Sequence, residues 1–134
     1  MLRNILAVIA GIVAGGIGVG VFEWLGHMAF PLQPALMAQL SDPETFREAA
    51  AQVPDINRLA VVAAWALGAL VAGAVTAFVA RRRHTGLALI AGGGLLFAGL
   101  SNLIMIPSPL WMWALGLAVF MPMAWLGARL VPHR

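Results

Sequence analysis

Four long apolar runs, separated by breaks rich in proline or charge, set the pattern of the chain; they cover about 5–30, 59–80, 87–106 and 110–131. Crossing about 30 Å of hydrocarbon takes roughly 20 helical residues, so each run is long enough to span a bilayer. A helix satisfies its own backbone in lipid, and alternating strands that could close into a barrel are not seen. The pattern therefore predicts an all-α fold, a polytopic membrane four-helix bundle forming a single integral membrane domain over 1–134. The one long polar connection, 31–58, is punctuated by Pro31, Pro34, Pro43 and Pro54. Within it Ser41-Asp42-Pro43-Glu44 reads as a capping box with proline in the first turn, which predicts a short helix from about 42 to 52. Phe46, Ala49, Ala50 and Val53 share one face of that helix and Arg47, Glu48 and Gln52 fall elsewhere, the pattern of a short interfacial helix in the outer loop.

Composition sharpens this picture by exclusion. Of the 134 residues 62% are hydrophobic and 10% charged, against soluble averages of about 45–50% and 25%, so a freely soluble enzyme, a disordered chain and a coiled coil are all ruled out. With no cysteine there are no disulfides, thiolate metal sites or cysteine nucleophiles. The net charge of +3 comes from arginines segregated by connection: Arg3, Arg81, Arg82, Arg83, Arg129 and Arg134 flank one side, and Pro107-Ser108-Pro109 on the other carries no charge. By the positive-inside rule both termini and the 81–86 turn face the cytoplasm and 31–58 faces out, in a bacterial inner membrane. This basicity describes topology, and no nucleic acid partner is expected. The Arg81-Arg82-Arg83-His84 run reads as a stop-transfer signal in contact with anionic lipid. Arg3 before an apolar run and the small-x-small Gly18-Val19-Gly20 also fit a signal peptide, but apolar character continues through Phe30, as a retained helix requires.

Short matches suggest a two-hairpin internal repeat. Leu-Ala-Val-Ile-Ala-Gly at 6–11 returns as Leu-Ala-Leu-Ile-Ala-Gly at 87–92, and Trp-Ala-Leu-Gly at 65–68 returns at 113–116. Span 1 would then correspond to span 3 and span 2 to span 4, related by an axis along the membrane normal. Lipid gives helices no hydrophobic reason to associate, so small residues that allow close backbone approach are expected at the interfaces. Gly16, Gly20, Gly68, Gly92 and Gly99 are the expected helix-packing positions, with Gly11, Gly15, Ala64, Ala72 and Thr76 on similar faces. Glycine on two faces of span 1 predicts a central place for it, against two neighbours. Pro122 frees the carbonyl of Ala118 and predicts a kink in span 4.

The unusual chemistry lies toward the outer end. Glu23 is the one carboxylate inside a span, where an ionisable group costs about 2.5–3.5 kcal/mol at the helix centre and marks a functional site by default. His27 follows at i+4, and Gly16, Gly20, Glu23 and His27 fall on one stripe. At 1.5 Å per residue Glu23 lies about 27 Å from Ile5 and Asn102 about 22 Å from Leu87, at nearly matching depth. Asn102 is thereby placed to donate to Glu23 and to close a polar cluster with His27 and Trp65, serving as interhelical glue or as a ligand or proton site. Trp24, Trp65, Trp111 and Trp113 gather outside as an aromatic belt. Met28, Met105 and Met112 gather beside His27, and a thioether–imidazole set suits copper(I), although methionine more commonly fills gaps. One Glu and one His alone under-ligate a metal, so no metal and no cofactor are expected.

No G-x-S-x-G, H-E-x-x-H or phosphate loop is present, and Gly92 to Gly94 sits inside a span, so the chain is not expected to be an enzyme. The motifs Ala-Val-Ile-Ala-Gly, Glu-Trp-Leu-Gly-His before Pro31, Trp65-Ala-Leu-Gly, Asn-Leu-Ile-Met-Ile-Pro before Trp111 and Ala-Trp-Leu-Gly-Ala-Arg resemble those of a group of small four-span bacterial membrane proteins of unassigned function. The resemblance covers the whole chain and implies an inner-membrane location and nothing catalytic. Small multidrug resistance transporters are similar in having four short helices with a carboxylate in the first, but the outer position of Glu23, the long 31–58 segment and the one-sided arginines depart from them. The expected function is noncatalytic binding of a partner helix, lipid or small ligand near Glu23, His27, Asn102 and Trp65. The alternative is a proton-linked transporter or channel using Glu23 and His27. A water-filled path from the Gly16/Gly20 groove to the cytoplasmic face would favour the second, and a closed interface the first. Expected partners are the lipid bilayer, a second copy of the chain or another membrane protein.

Overall fold

The computed structural model describes residues 1–81, 85–106 and 108–132, so Arg82, Arg83 and His84 of the expected stop-transfer run, Pro107 and Arg134 lie outside the described residues. These residues form six helices and no strand: α1 (Leu2–Ala29), α2 (Pro34–Leu40), α3 (Phe46–Ala51), α4 (Asp55–Ala80), α5 (Thr85–Met105) and α6 (Leu110–Leu130). Helices α1, α4, α5 and α6 are long and apolar enough to cross a membrane, the length a hydrocarbon core demands. The protein is an all-α bundle of four such helices. One end of the bundle, the connection end, carries 31–58, and the other, the arginine end, carries Arg3 and Arg81.

Helix α4 begins four residues earlier than the apolar run because Pro54, with ψ 150°, sets the N-cap and Asp55 follows in the first turn, where a carboxylate meets the positive end of the helix dipole. At its other end Arg81 takes φ 61° and turns the chain out of the helix, its N–H bonded to the carbonyls of Ala77 and Phe78. A left-handed residue in this place is ordinarily glycine. Helix α6 continues through Pro122 to Leu130.

The connection departs from expectation. Two short helices replace one, and Ser41 closes α2 where the sequence suggested that it opens α3. Its Oγ donates to the carbonyl of Met37, and Asp42 Oδ1 accepts from the Glu44 N–H two residues on. Such local side-chain bonds compete with helix formation, so Ser41-Asp42-Pro43-Glu44 makes a turn and α3 starts only at Phe46. The expected face nonetheless turns inward, with Ala49 and Ala50 buried and Phe46 and Val53 half-buried. Pro34 in the first turn of α2, after extended Gln33, is the start signal overlooked in the sequence.

The central span is α4, not α1. Helix α4 packs against α1, α5 and α6, whereas α1 and α6 do not approach each other. Twelve α4 residues are buried against three in α1, namely Ala7, Gly11 and Gly15. Small residues permit this arrangement. A Cβ on Gly15 would lie 2.7 Å from the Ala72 methyl and 2.9 Å from the Gly68 carbonyl, and one on Gly11 would overlap Thr76. Across the other side of α4, a Cβ on Gly73 would overlap the Ala124 carbonyl and one on Gly127 the Leu70 carbonyl, so α4 and α6 touch backbone to backbone. Gly92 of α5 sits 2.7 Å from the Ala124 methyl by the same measure. The absence of an α1–α6 interface to match α4–α5 breaks the two-fold relation that the internal repeat implies.

Candidate functional site

Gly99 of α5 is where the site begins. Because Gly99 has no side chain, the buried Phe120 ring of α6 lies against it, 2.7 Å from where a Cβ would stand. Phe120 in turn stacks on Trp65 of α4, ring centroids 5.6 Å apart and planes at 28°. Gly116, one turn earlier in α6, leaves room for the far edge of the same indole, whose Cζ3 would lie 2.7 Å from a Cβ there. Pinned between two α6 residues, Trp65 directs its Nε1–H across the bundle to Glu23 Oε1 of α1, at 3.1 Å. Trp65 is thus a buried crossbeam, 3% exposed, and not a member of an interfacial belt. An indole that is apolar in body and polar at one edge suits this place, with its donor satisfied inside the protein.

Two cavities meet at the Glu23–Trp65 bond. One, of about 340 Å³, lies under the connection and is lined by Glu23, His27, Asn57, Arg58, Trp65 and Asn102 together with apolar residues of α3 and α5. The other, also about 340 Å³, is a groove between α1 and α5, lined by Gly16, Val19, Gly20, Leu95 and Ala98, and shares Glu23, Trp65 and Asn102 with the first. The helices of this groove close together further down, where the Ile12 side chain lies 2.9 Å from the Cβ position of Gly94.

Glu23, His27, Trp65 and Asn102 all line the cavity under the connection. Glu23 and Trp65 are joined by a hydrogen bond, whereas Asn102, against expectation, makes none to Glu23, because α1 packs chiefly on α4 and the groove lies between Glu23 and α5. His27 is exposed on the turn above Glu23. Gly68, Gly92 and Gly99 are contact positions, Gly68 against Val19 and the Gly15 carbonyl. Gly16 and Gly20 are not: nothing lies within 4 Å of a Cβ at either, since Gly11, Gly15 and Gly18 provide the face that meets α4. Of the three methionines that the sequence groups with His27, Met112 lines the cavity, and Met28 and Met105 are 62% and 74% exposed. Among the described residues no group of three His, Cys, Asp or Glu could hold a metal.

Sequence reasoning missed Asn57 and Arg58. Asn57 Nδ2 donates to the Phe30 carbonyl at 2.6 Å, tying the start of α4 to the end of α1. Arg58 is buried, with Nη2 donating to the Ala50 carbonyl at 2.6 Å and Nε to the Val53 carbonyl at 3.3 Å, which fastens α3 over the cavity. A signal was present: Arg58, Val61 or Val62, and Trp65 recur at i, i+3/i+4 and i+7, one face of one helix.

Comparison of the chain with protein-family models, with curated proteins and with solved structures gave no match.

Proposed function

We propose that this protein is a noncatalytic membrane binding protein that captures a small ligand at Glu23, in the half of the bundle covered by the 31–58 connection. The observation that carries the reading is the Glu23 carboxylate itself: inside a membrane-length helix, with one oxygen held by Trp65 Nε1–H, at the meeting point of two cavities. With Trp65 donating to Oε1, the carboxylate stands beside space large enough for a ligand group that donates a hydrogen bond or carries positive charge. Asn102 and His27 add donor and acceptor capacity around it. The sparse polar groups among mostly apolar walls are those of a small-molecule site.

Binding is favoured over passage by the closed arginine end. There the backbones of α4 and α6 touch at Gly73 and Gly127, and α1 meets α4 at Gly11. The hollow on that side, lined by Arg3, Asn4 and Arg81, shares no lining residue with either cavity. With the arginines on the cytoplasmic side, the site faces the outer leaflet of a bacterial inner membrane. The test is a titration of the purified protein with short alkylammonium ions, followed by tryptophan fluorescence. A saturable change in the native chain that is lost in Glu23→Gln supports the reading; its absence from the native chain refutes it. Gln keeps an oxygen to accept from Trp65, so the variant removes charge and preserves the bond.

A further inference from the structure

We infer that the ligand taken at Glu23 is a single-chain primary amine, its ammonium held by the carboxylate and its hydrocarbon chain lying in the groove between α1 and α5. This inference rests on the proposed binding site at Glu23 and deepens it by naming the class of occupant. Of the two cavities that meet there, the groove has the simpler electrostatics. Glu23 is the one charged side chain among the described residues that line it, whereas His27 and Arg58 also stand in the walls of the cavity under the connection. An apolar slot with one carboxylate at its head is complementary to a molecule that carries one positive charge at the end of an apolar chain. The head of the groove also favours N–H donors over a cation that has none. Trp65 Nε1–H occupies one acceptor position of a carboxylate that offers about four, and Asn102, which lines both cavities, adds an amide oxygen. A primary ammonium brings three donors to these acceptors, and a trimethylammonium brings none.

The groove supplies the place for the chain. Below Glu23 its walls are Gly16, Val19 and Gly20 of α1 and Leu95 and Ala98 of α5, all without a polar side chain. A Cβ at Gly16 or Gly20 would meet nothing within 4 Å, so the groove owes its width to two missing side chains that no helix contact requires. From Glu23 to Gly16 the distance along α1 is about 10 Å at 1.5 Å per residue, room for a chain of several methylenes. Beyond it the helices close, with Ile12 2.9 Å from the Cβ position of Gly94. A second charge part-way along the ligand would lie against this apolar wall without a partner and lose its hydration, which restricts the occupant to one charge at one end. Both bordering helices are long and apolar enough to cross a membrane, so the chain lies at the depth of hydrocarbon and the ammonium toward the connection.

The test measures saturable binding of ethylammonium, octylammonium and octyltrimethylammonium ions to the whole purified chain by equilibrium dialysis. An octylammonium analogue with a diazirine at its chain end is then crosslinked by light and located by mass spectrometry. Octylammonium is expected to bind at least about a hundredfold more tightly than ethylammonium, since each buried methylene is worth about fourfold. The crosslink is expected on Gly16, Val19, Gly20, Leu95 or Ala98, and to be lost in Glu23→Gln. Gly20→Leu fills the groove from one wall and Ala98→Leu from the other, and each is expected to narrow the octyl-to-ethyl ratio at least about tenfold. Glu23-dependent ethylammonium binding with no gain for octylammonium, or with crosslinks outside the groove, overturns this inference and leaves the simpler reading of the site standing. Failure of all three ions to bind in a Glu23-dependent way overturns both. A ratio unchanged in both leucine variants overturns the assignment of the groove, and octyltrimethylammonium bound as tightly as octylammonium overturns that of the primary head group.

Discussion

Replacing Gly73 by alanine should weaken the bundle, and replacing Gly16 by alanine should strengthen it, although both glycines lie within membrane-length helices. At Gly73 the new methyl would overlap the Ala124 carbonyl oxygen and stand 2.9 Å from Ala124 Cα, both backbone atoms that cannot rotate aside. The helices α4 and α6 must separate, and overpacking of this kind costs about 1–3 kcal/mol. Alanine returns about 0.5–1 kcal/mol through its better helical propensity. The net expectation for Gly73→Ala is a loss of up to about 2.5 kcal/mol. At Gly16 nothing lies within 4 Å, so only the propensity term operates and a gain of about 0.5–1 kcal/mol follows. Unfolding of the purified protein in mixed micelles, titrated with a denaturing detergent and followed by far-ultraviolet circular dichroism, reads both signs. A Gly73→Ala protein as stable as Gly16→Ala would show that α4 and α6 are not in backbone contact, and the reasoning would fail.

Three further outcomes are expected. Trp65→Phe keeps the stack on Phe120 but deprives Glu23 of its donor, and should cost about 0.6–2 kcal/mol in the same unfolding assay; no loss would mean that the Trp65–Glu23 bond does not form. Arg58→Met leaves the carbonyls of Ala50 and Val53 without this donor, so backbone amides around α3 should exchange with deuterium at least about tenfold faster, the factor that corresponds to 1.4 kcal/mol, while those at the centre of α4 hold their rate. Arg81→Gly relieves a left-handed backbone conformation and should raise stability by about 1 kcal/mol; a loss would place the value of Arg81 in its side chain.

How far the sequence could be read depended on whether the deciding physics was local. The four spans were legible because length and hydropathy alone decide what crosses a bilayer. The inward face of α3 was legible from the spacing of Phe46, Ala49, Ala50 and Val53. Which glycines pack was legible only in part, since Gly15 and Gly16 look alike in sequence and differ only in whether α4 lies opposite. For the same reason α1 was placed at the centre: its glycines do occupy two faces, but one meets α4 and the other opens on a groove. Ser41 misled because a capping residue and a helix-closing residue use one hydroxyl, and Pro34 upstream decided between them. Glu23 and Trp65 stood out by type, one as an acid within a span and the other as its neighbour in depth. Arg58 stood out less, because the face it shares with Val61, Val62 and Trp65 becomes visible only once α4 is known to begin at Asp55.

In the proposed reading the polar cavity at Glu23 is reached from the side of the 31–58 connection and is closed toward the arginines. The absence of cysteine from the chain makes a direct measurement available. Single cysteines at Asn102 in the cavity, Gln39 in α2 and Arg3 at the opposite end, in proteoliposomes of one orientation, would be treated with a membrane-impermeant thiol reagent at a pH near 8.5, where thiolate is abundant. Asn102→Cys should react from the side that labels Gln39→Cys and stay unreactive from the side that labels Arg3→Cys. Reaction from both sides would contradict the closed end and point to a conducting path, and reaction from neither would show that no accessible cavity exists at Glu23.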